Sequence, residues 1–282
     1  MTQMLSAAHT QRLSAGGAQW LSAAETQGLS VPDWTGVSAS LLLVALAALI
    51  AYRQHLHLTR ELLIAAARAG VQLVAVGAIL LILFRHTGLP GALGWVILMI
   101  VIAGQVAGRR GAGLPHAMRS ATIGVAFGSS ITLGSLIVLG IISTQARVVV
   151  PVGGMIVSSA MQATGIALRR LVEDARRARD AVEARLALGL SGHQAFLPNQ
   201  RSALRTALIP AIDSTKVVGL ISLPGAMTGL ILAGVDPLTA IRYQIVVMYM
   251  LLAATTLAAL AATRVAERTL FDSAQRLVSL PD

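Results

Sequence analysis

The chain has 282 residues, of which 55% are hydrophobic and 12% charged, and a formal net charge of +10. Soluble globular domains are usually about one quarter charged, so the composition excludes an ordinary soluble domain and indicates a chain that lies mostly in a bilayer. The positive charge is almost all arginine, since Lys216 is the single lysine, and there is no cysteine. Disulfides and thiolate metal sites are therefore excluded.

The chain begins with a near-repeat of eight residues, LSAAHTQR, LSAGGAQW and LSAAETQG, in which leucine recurs at positions 5, 13, 21 and 29. Eight residues advance a helix by about 80° beyond whole turns, so these leucines would spiral around a helix and not line one face. Low complexity and small polar residues predict a flexible tail over residues 1–34. The tail lacks the basic start and the apolar run of a signal peptide.

Apolar runs long enough to cross a hydrocarbon core of ~30 Å as helix recur about seven times. They do not alternate as β-barrel strands do, so the predicted fold is all-α. We expect a polytopic membrane protein with a transmembrane domain over residues 35–270 and a cytoplasmic tail over residues 271–282. The predicted spans are residues 35–52, 62–84, 91–108, 121–142, 148–168, 217–235 and 238–262.

Arginine is concentrated after the first, third and fifth spans and at the carboxyl end. The positive-inside rule then predicts an amino terminus outside and a carboxyl terminus in the cytoplasm, as an odd number of spans requires. The longest basic connection, residues 170–208, is predicted to be cytoplasmic. We interpret the basic surface as a topology signal and a contact with anionic membrane lipid. Nucleic-acid binding is not expected, because no aromatic platform accompanies the arginines.

The second span carries a polar stripe, because Glu61, Arg68 and Gln72 lie seven and four residues apart, within about 20° of one another on a helix. Arginine at membrane depth is costly and normally faces protein or water. One interpretation is structural: Arg68 lies near the interface, where it snorkels or pairs with Glu61. The other interpretation places the stripe on a transport pathway.

The fourth and fifth spans each carry a distinctive face. Small residues in the fourth span would let helix backbones approach closely; they are Gly124, Gly128, Thr132 and Ser135. The fifth span has a polar side formed by Met155, Ser158, Ser159 and Gln162. This polar side is either a packing feature or one wall of a polar pathway, in which thioethers and hydroxyls would be weak ligands.

The connection after the fifth span contains arginine–acid pairs at i,i+4 spacing, which predict that the span continues into the cytoplasm as a solvated helix. The pairs are Arg169–Glu173, Arg176–Asp180 and Arg179–Glu183. Gly189 is expected to end this helix, and Ala195, Phe196 and Leu197 follow as a small apolar cluster. A charged helix of this kind is either only solvated or a docking element for another protein.

The predicted sixth span, IPAIDSTKVVGLISLPGAMTGLILAGVDP, is interrupted by proline and glycine. We expect Pro210 to begin the helix, with Asp213 in its first turn and Lys216 paired to it. Pro224 would remove a helical hydrogen bond to Leu220, and Ser222, Gly225 and Gly229 would form a small face. Two interpretations are open for this span. It carries either an ion pair at the membrane interface together with a packing face, or a gating element. The candidate pathway or gating residues here are Asp213, Lys216, Pro224, Gly225, Met227 and Gly229.

An enzyme needs a constellation of reactive groups, and none is visible: there is no zinc-binding helix, no nucleophile elbow and no pair of acids within a span. A phosphate-binding loop is also excluded, because Lys216 follows Thr215 and precedes Val217. Active transport would therefore need an ion gradient or a separate ATPase. The third to fifth spans carry no acid, which weakens ion-coupled secondary transport without removing it as an alternative.

Residues 205–259 resemble the carboxyl-terminal signature of the FetB/YbbM-type permeases of bacterial ABC transporters implicated in iron export, a family that includes plant aluminium-tolerance membrane subunits. ELLIAAARAGVQL and PVGGMIVSSAMQATGIALRRL resemble that family at matching places. The resemblance implies a permease of the bacterial inner membrane that exports iron or a related metal or metal complex. It further implies a second copy of the permease and a cytoplasmic partner ATPase that carries the ATP and magnesium, with no cofactor and no catalytic residue on this chain.

EARLALG, residues 183–189, is similar to the coupling loop of many ABC permeases, although Arg185 stands where a second alanine is common. The resemblance implies ATPase coupling at Glu183 and Gly189, and we predict that the rest of the connection, including Ser191, Gln194 and Phe196, docks on the ATPase as well. No metal cage is visible, so weak transit sites, a chelated metal and an ABC permease for a non-metal solute are all open.

Overall fold

A computed structural model describes residues 33–55, 58–86, 88–272, 274–278 and 280, with only the backbone for residues 34, 82 and 84–86. Most of these residues are helical, and within these ranges the only β-structure is two isolated bridges. The all-α prediction is therefore confirmed. The helices are α1 Trp34–Arg53, α2 Thr59–His86, α3 Gly88–Arg110, α4 Ala117–Val138, α5 Ala146–Arg177, α6 Arg179–Ala187, α7 Gly192–Val217, α8 Gly225–Leu232 and α9 Pro237–Arg268. The predicted tail lies outside the described residues except for its last two positions.

Six of the described helices are long and apolar enough to cross a membrane, and they coincide with the first five and the last of the predicted spans. They lie in α1, α2, α3, α4, α5 and α9. The chain is thus a multi-pass membrane protein. α5, at 32 residues, is about 48 Å long, which exceeds a hydrocarbon core of ~30 Å. The predicted continuation of this span as a charged helix is confirmed as far as Arg177, and its place in the cytoplasm stays a prediction.

The predicted span over residues 217–235 is wrong as a single helix. α7 ends at Val217, residues 218–224 are not helical, and α8 has only 8 residues, or about 12 Å. Gly219 adopts φ +81°, which a helix does not allow, and its N–H donates to the carbonyl of Ser222 at 2.9 Å. Pro224 therefore breaks no helical bond to Leu220. The odd number of spans used to place the termini on opposite sides is not supported, and their orientation stays a prediction.

The expected helix start at Pro210 is also wrong. α7 begins at Ser191, whose side chain accepts from the backbone N–H of Gln194 while the Gln194 side chain accepts from the Ser191 N–H, a complete capping box. The helix passes through Pro198 and Pro210 without ending, because a proline removes one hydrogen bond and the surrounding packing can tolerate that loss. Asp213 consequently lies near the carboxyl end of a helix and not in its first turn.

The described chain divides into two compact units, the first containing residues 33–81 and 225–240 and the second containing residues 82–224 and 241–280. In the second unit α3, α4 and α5 pack on one another, and α5 also packs on α7. Glycines allow the closest approaches: a Cβ added at Gly128 would lie 2.7 Å from the backbone nitrogen of Ala258 in α9. The predicted close-packing face of the fourth span is thus confirmed at Gly124 and Gly128.

A second core lies where the ends of α5 and α9 meet α6 and the start of α7. Leu168, Leu171, Val182, Phe196 and Leu270 are all fully buried in it. Two of the predicted i,i+4 ion pairs form on its surface, Arg169–Glu173 at 3.3 Å and Arg179–Glu183 at 2.8 Å. The third predicted pair, Arg176 with Asp180, spans a break at Ala178 that separates α5 from α6.

Candidate transport cavity and coupling region

Three helices of the second unit, α5, α7 and α9, enclose a cavity of about 250 Å³. We call it the three-helix cavity. Its lining alternates small and polar groups with aliphatic ones. The residues that line it are Ser159, Gln162, Ala163, Ile166, Ala207, Pro210, Ala211, Ser214, Thr215, Met248, Leu251, Leu252 and Thr255. They include no acid and no base, and most of them are apolar, so the cavity is an uncharged and mainly apolar space with a few polar groups.

The hydroxyl groups of the three-helix cavity bond to their own helices. Ser214 Oγ and Thr215 Oγ1 both donate to the carbonyl of Ala211, at 2.9 Å and 2.8 Å. Thr255 Oγ1 donates to the carbonyls of Leu251 and Leu252 on α9, at 2.8 Å and 2.9 Å. Ser and Thr in apolar helices commonly bond backwards in this way. Their oxygen lone pairs are left to face a neighbour or the cavity.

The predicted polar side of the fifth span is partly in the cavity. Ser159 and Gln162 line it, and neither side chain has a hydrogen-bond partner among the described residues. Met155 and Ser158 do not line it, and Ser158 Oγ donates to the Met155 carbonyl at 3.1 Å. Sequence reasoning missed Ser214, Thr215 and Thr255. The one local signal was Thr255 inside the apolar α9, whereas Ser214 and Thr215 lie between Asp213 and Lys216 and do not stand out.

The other candidate pathway residues lie elsewhere. Asp213 and Lys216 form an exposed ion pair at 3.2 Å, as predicted, but neither lines the cavity. Pro224 is half-buried in the non-helical segment. The remaining candidates belong to the first unit and are Glu61, Arg68 and Gln72 on α2, with Gly225, Met227 and Gly229 on α8.

The α2 stripe is exposed along its length, at Glu61, Arg68 and Gln72. No ion pair between Glu61 and Arg68 is present in the described part of the chain, so the predicted pairing is not seen. A Cβ added at Gly225 or Gly229 would meet nothing within 4 Å in the described residues. The expected close approach of a neighbouring helix at these glycines is therefore not found.

The coupling region, residues 170–208, is a short helix joined to a long one. The helix expected to run unbroken from the fifth span to Gly189 is interrupted at Ala178. Gly189, with φ +88°, follows the end of the separate helix α6, because glycine adopts this left-handed conformation without strain. Arg185 ties the two helices together: its Nη1 donates to the Ala195 carbonyl at 2.9 Å and to Asn199 Oδ1 at 3.4 Å. α6 and the start of α7 are thereby joined by a charged hydrogen bond.

The carboxyl-terminal segment, residues 270–278, packs onto the start of α7. Phe196 is fully buried and meets Phe271 edge to face, with ring centroids 6.2 Å apart. The Gly192 N–H donates to Gln275 Oε1 at 2.8 Å, and His193 Nδ1 lies 2.6 Å from Glu267 Oε1 on α9. Among the predicted coupling residues, Phe196 is thus an internal anchor, whereas Glu183, Gly189, Ser191 and Gln194 are exposed.

The apolar surface of the coupling region is concentrated at the α6–α7 turn. Leu188 is 80% exposed, and Leu190, just beyond Gly189, is also exposed. Leu188 and Leu190 are the large hydrophobic side chains that are exposed in the described coupling region.

The Asp272 side chain accepts hydrogen bonds from Ala274 and Arg276 of the carboxyl-terminal segment. The backbone N–H of Arg276, followed by the Arg276 guanidinium and the Ala274 N–H, holds the pKa of the Asp272 carboxyl below its ordinary value. The Arg276 guanidinium lies 2.9 Å from Asp272 Oδ2. A carboxylate that accepts several N–H bonds is stabilised in its charged form. The carboxylate therefore fixes the turn that returns the segment to α7.

No group of three or more His, Asp or Glu side chains that could hold a metal ion occurs in the part of the chain that the structure describes. A metal ion held by the described residues would therefore meet at most two such side chains.

Comparison with known proteins places the chain in a membrane-protein family. The family model described as "Uncharacterised protein family (UPF0014)" matches residues 34–271. "UPF0014 membrane protein STAR2" of Oryza sativa subsp. japonica is 39% identical over 85% of this chain and 84% of its own. "Protein ALUMINUM SENSITIVE 3" of Arabidopsis thaliana is 37% identical over 85% and 88%. "Probable iron export permease protein FetB" of Escherichia coli (strain K12) is 36% identical over 86% and 93%. No solved structure matches the chain with significance.

Proposed function

We propose, because the chain belongs to the UPF0014 family, that it is the membrane permease subunit of an ABC transporter, powered by a separate cytoplasmic ATPase. Six helices fit to cross a membrane and a relative named as a permease support a transport function. The observation that carries the proposal is the three-helix cavity, which lies between helices α5 and α9 and the long helix α7. That helix leads from the cavity to the coupling region.

The proposed cargo is iron or a related metal, exported across a bacterial inner membrane. The Escherichia coli relative is named as a probable iron export permease, and one plant relative is named for aluminium sensitivity. A metal cargo agrees with a cavity that offers oxygen atoms without a tight cage. The alternative of ion-coupled secondary transport is less well supported, because no acid lines this cavity to carry a proton.

The proposed ATPase contact is the exposed side of the coupling region. The α6–α7 turn offers Leu188 and Leu190 as apolar contacts, and Ser191 and Gln194 are exposed beside it. Since Arg185 joins α6 to α7, a displacement of α6 by the partner would be passed to α7. α7 also lines the cavity, so one helix connects the ATPase contact to the cargo site.

The test is reconstitution of the full chain in proteoliposomes with a candidate ABC ATPase of the same organism. We expect the permease to raise ATP hydrolysis and to move Fe²⁺ only when ATP is present. The matched control is the same ATPase with its phosphate-binding lysine replaced, which should abolish both signals. Fe²⁺ movement that continues with the inactive ATPase would contradict an ABC mechanism.

A second copy of the permease is also proposed, because the resemblance implies two permease chains in each transporter. The cysteine-free sequence allows single cysteines to report on it. Cysteines at exposed lipid-side positions, such as Leu42 and Leu73, should give disulfide-linked dimers at some positions, and a cysteine at buried Ala254 should give none. Monomers at every exposed position along α1 to α4 would argue against a homodimer.

A further inference from the structure

We propose that the three-helix cavity is a transit site for an uncomplexed hard metal cation, bound by neutral oxygen atoms, and not for a bulky metal chelate or a soft metal ion. The inference rests on the proposed function and adds the charge and coordination class of the cargo. It follows from the direction of the hydrogen bonds, the end of α7, the helix prolines and the size of the cavity.

Three of the four hydroxyl groups that line the cavity are oriented as acceptors. A hydroxyl has one proton and two lone pairs. The protons of Ser214, Thr215 and Thr255 are all donated to backbone carbonyls of their own helices, at 2.8 to 2.9 Å. What they offer to the cavity is therefore oxygen lone pairs without a proton. Lone pairs attract a cation and repel the oxygens of a carboxylate or phosphate, so these three hydroxyl groups favour a cation. The Ser159 hydroxyl and the Gln162 amide, which also line the cavity, keep donors of their own.

Pro210 adds a further acceptor. It lies inside α7 and lines the cavity, and a proline has no N–H to donate to the carbonyl four residues earlier. That carbonyl belongs to Thr206, next to the cavity-lining Ala207. A carbonyl released from its helical bond is one of the ligands by which membrane transporters coordinate cations. The proline thus serves as a source of an available oxygen and need not be a hinge.

The helix end has the sign that a cation requires. Ser214 and Thr215 lie in the last turn of α7, which ends at Val217. The carboxyl end of a helix carries roughly half a negative charge. Lys216 lies in the same last turn, but it is paired with Asp213 at 3.2 Å and neither side chain lines the cavity. The backbone therefore adds a modest negative potential at this end of the cavity.

The size of the cavity favours a hydrated ion over an organic complex. Its volume of about 250 Å³ lies below the roughly 300 to 1,000 Å³ of typical small-molecule sites. A divalent ion with up to about six waters, at roughly 30 Å³ each, fits within it. Neutral oxygens bind such an ion weakly, as a site on a pathway must.

The donor set also excludes a soft ion as the preferred cargo. Soft ions such as Cu⁺ select thiolates and thioethers, whereas carbonyl and hydroxyl oxygens suit harder ions. The chain has no cysteine, and Met248 provides one thioether among the described lining residues. Oxygen atoms outnumber sulfur in the cavity, so Mn²⁺ and Fe²⁺ fit it better than Cu⁺.

The test uses Mn²⁺ as the probe, because its binding can be followed by electron paramagnetic resonance on the permease in nanodiscs. The double variant Thr215→Val, Thr255→Val removes two oxygens and keeps the side-chain shape. We expect its half-saturating Mn²⁺ concentration to rise about tenfold, the lower end of the effect of polar partners around metals. Serine at both positions keeps the oxygens and should restore binding. Thr256→Val is the matched control, since Thr256 is the exposed neighbour of Thr255 and does not line the cavity.

A second pair of variants tests the proline. Pro210→Ala supplies the missing N–H to the Thr206 carbonyl and should raise the half-saturating Mn²⁺ concentration by about threefold or more. Pro198→Ala makes the same change in α7 outside the cavity and should leave Mn²⁺ binding unchanged. A similar effect of the two variants would show that loss of helix flexibility, and not an oxygen ligand, is responsible.

The outcomes separate this inference from the proposed function. If ATP-driven Mn²⁺ flux is present and the valine pair leaves binding and flux unchanged, the site assignment is wrong while the permease function stands. If ferric citrate competes with Mn²⁺ in wild type, or is the only form that is moved, the cation class is wrong. If no ATPase couples to the chain, the proposed function fails, and Mn²⁺ binding to the permease alone still supports or overturns the site.

Discussion

Phe196 provides the sharpest test of how the coupling region is built, because its ring is 0% exposed and contacts Phe271. Replacing it by alanine empties a space that the surrounding segment cannot refill, at a cost of ~3–5 kcal/mol. About 0.5–1.5 kcal/mol of this belongs to the edge-to-face contact. This part of the chain lies at the charged end of α5, where water makes burial of an aromatic ring favourable. Between helices in lipid the same driving force would be absent.

The matched variant is Leu188→Ala, since Leu188 is 80% exposed at the α6–α7 turn. An exposed side chain of this kind changes the free energy of unfolding by no more than about 0.5 kcal/mol. Phe196→Ala should therefore lower the melting temperature of the purified permease by about 6–20 °C, at roughly 2–4 °C per kcal/mol. Leu188→Ala should leave it unchanged and should weaken ATPase retention instead.

Both quantities can be measured on one preparation. Thermal unfolding in detergent, followed by fluorescence-detected gel filtration, gives the melting temperature, and co-purification with the candidate ATPase gives retention. The reasoning is refuted if Phe196→Ala has the melting temperature of wild type and yet does not retain the ATPase, because the ring would then face the partner. It is refuted equally if Leu188→Ala lowers the melting temperature.

Three further outcomes follow from the structure. Gly128→Ala should destabilise the permease by ~1–3 kcal/mol, because its new methyl would lie 2.7 Å from the α9 backbone. The control is Gly134→Ala on the same helix, where a Cβ would meet nothing within 4 Å. Its melting temperature should equal or exceed that of wild type. Bonding to the Arg276 N–H lowers the pKa of Asp272, so its stabilising effect should be full above the ordinary carboxyl pKa and disappear as pH falls through the lowered value. A spin label on the carboxyl-terminal segment should then report acid-induced mobility in wild type, and mobility at both pH values in Asp272→Asn. Arg185→Ala should reduce ATP-driven flux more than ATPase retention, since it removes the 2.9 Å bond between α6 and α7; equal losses of both would contradict a role in transmission.

The membrane-crossing helices could be predicted because a bilayer imposes one simple requirement, a long apolar segment with its backbone bonds satisfied internally. The segment after α7 shows where that criterion fails. This segment is apolar enough to be predicted as a membrane span. The helix nevertheless ends at Val217, and Gly219 takes a positive φ. Mean hydropathy does not report backbone conformation, so the sequence could not distinguish a helix from an apolar loop followed by one short helix.

The start of α7 was misplaced for a related reason. Pro210 is a common first residue of helices, but a capping box lies much earlier in the chain, at Ser191 and Gln194. Both signals were present, and the structure follows the one that satisfies more backbone groups. The docking of residues 270–278 had no local signal, because its contacts with Gly192 and Phe196 join positions far apart in the sequence.

The candidate cavity was found in part. Ser159 and Gln162 were predicted because they share a polar face on one helix, which local periodicity reveals. Thr215 and Thr255 come from two other helices, and only tertiary packing brings them to the same cavity. The acids and bases that attracted attention, such as Asp213, lie outside the lining. A search for charge therefore missed a site whose polarity comes from hydroxyl groups and a helix end.

The uninterrupted course of α7 has a mechanical consequence. The helix is 26 residues long, or about 39 Å, and Ala203 near its middle is fully buried, so it can act as a lever with a fixed pivot. Ser214 lies about 16 Å beyond that pivot. A tilt of about 5°, applied where the helix begins, moves the oxygens of Ser214 and Thr215 by about 1.4 Å. That displacement is more than half the length of a metal–oxygen bond of about 2.0–2.6 Å. At the proposed cation site, a small movement at one end of the helix would therefore change the distance between an ion and these oxygens.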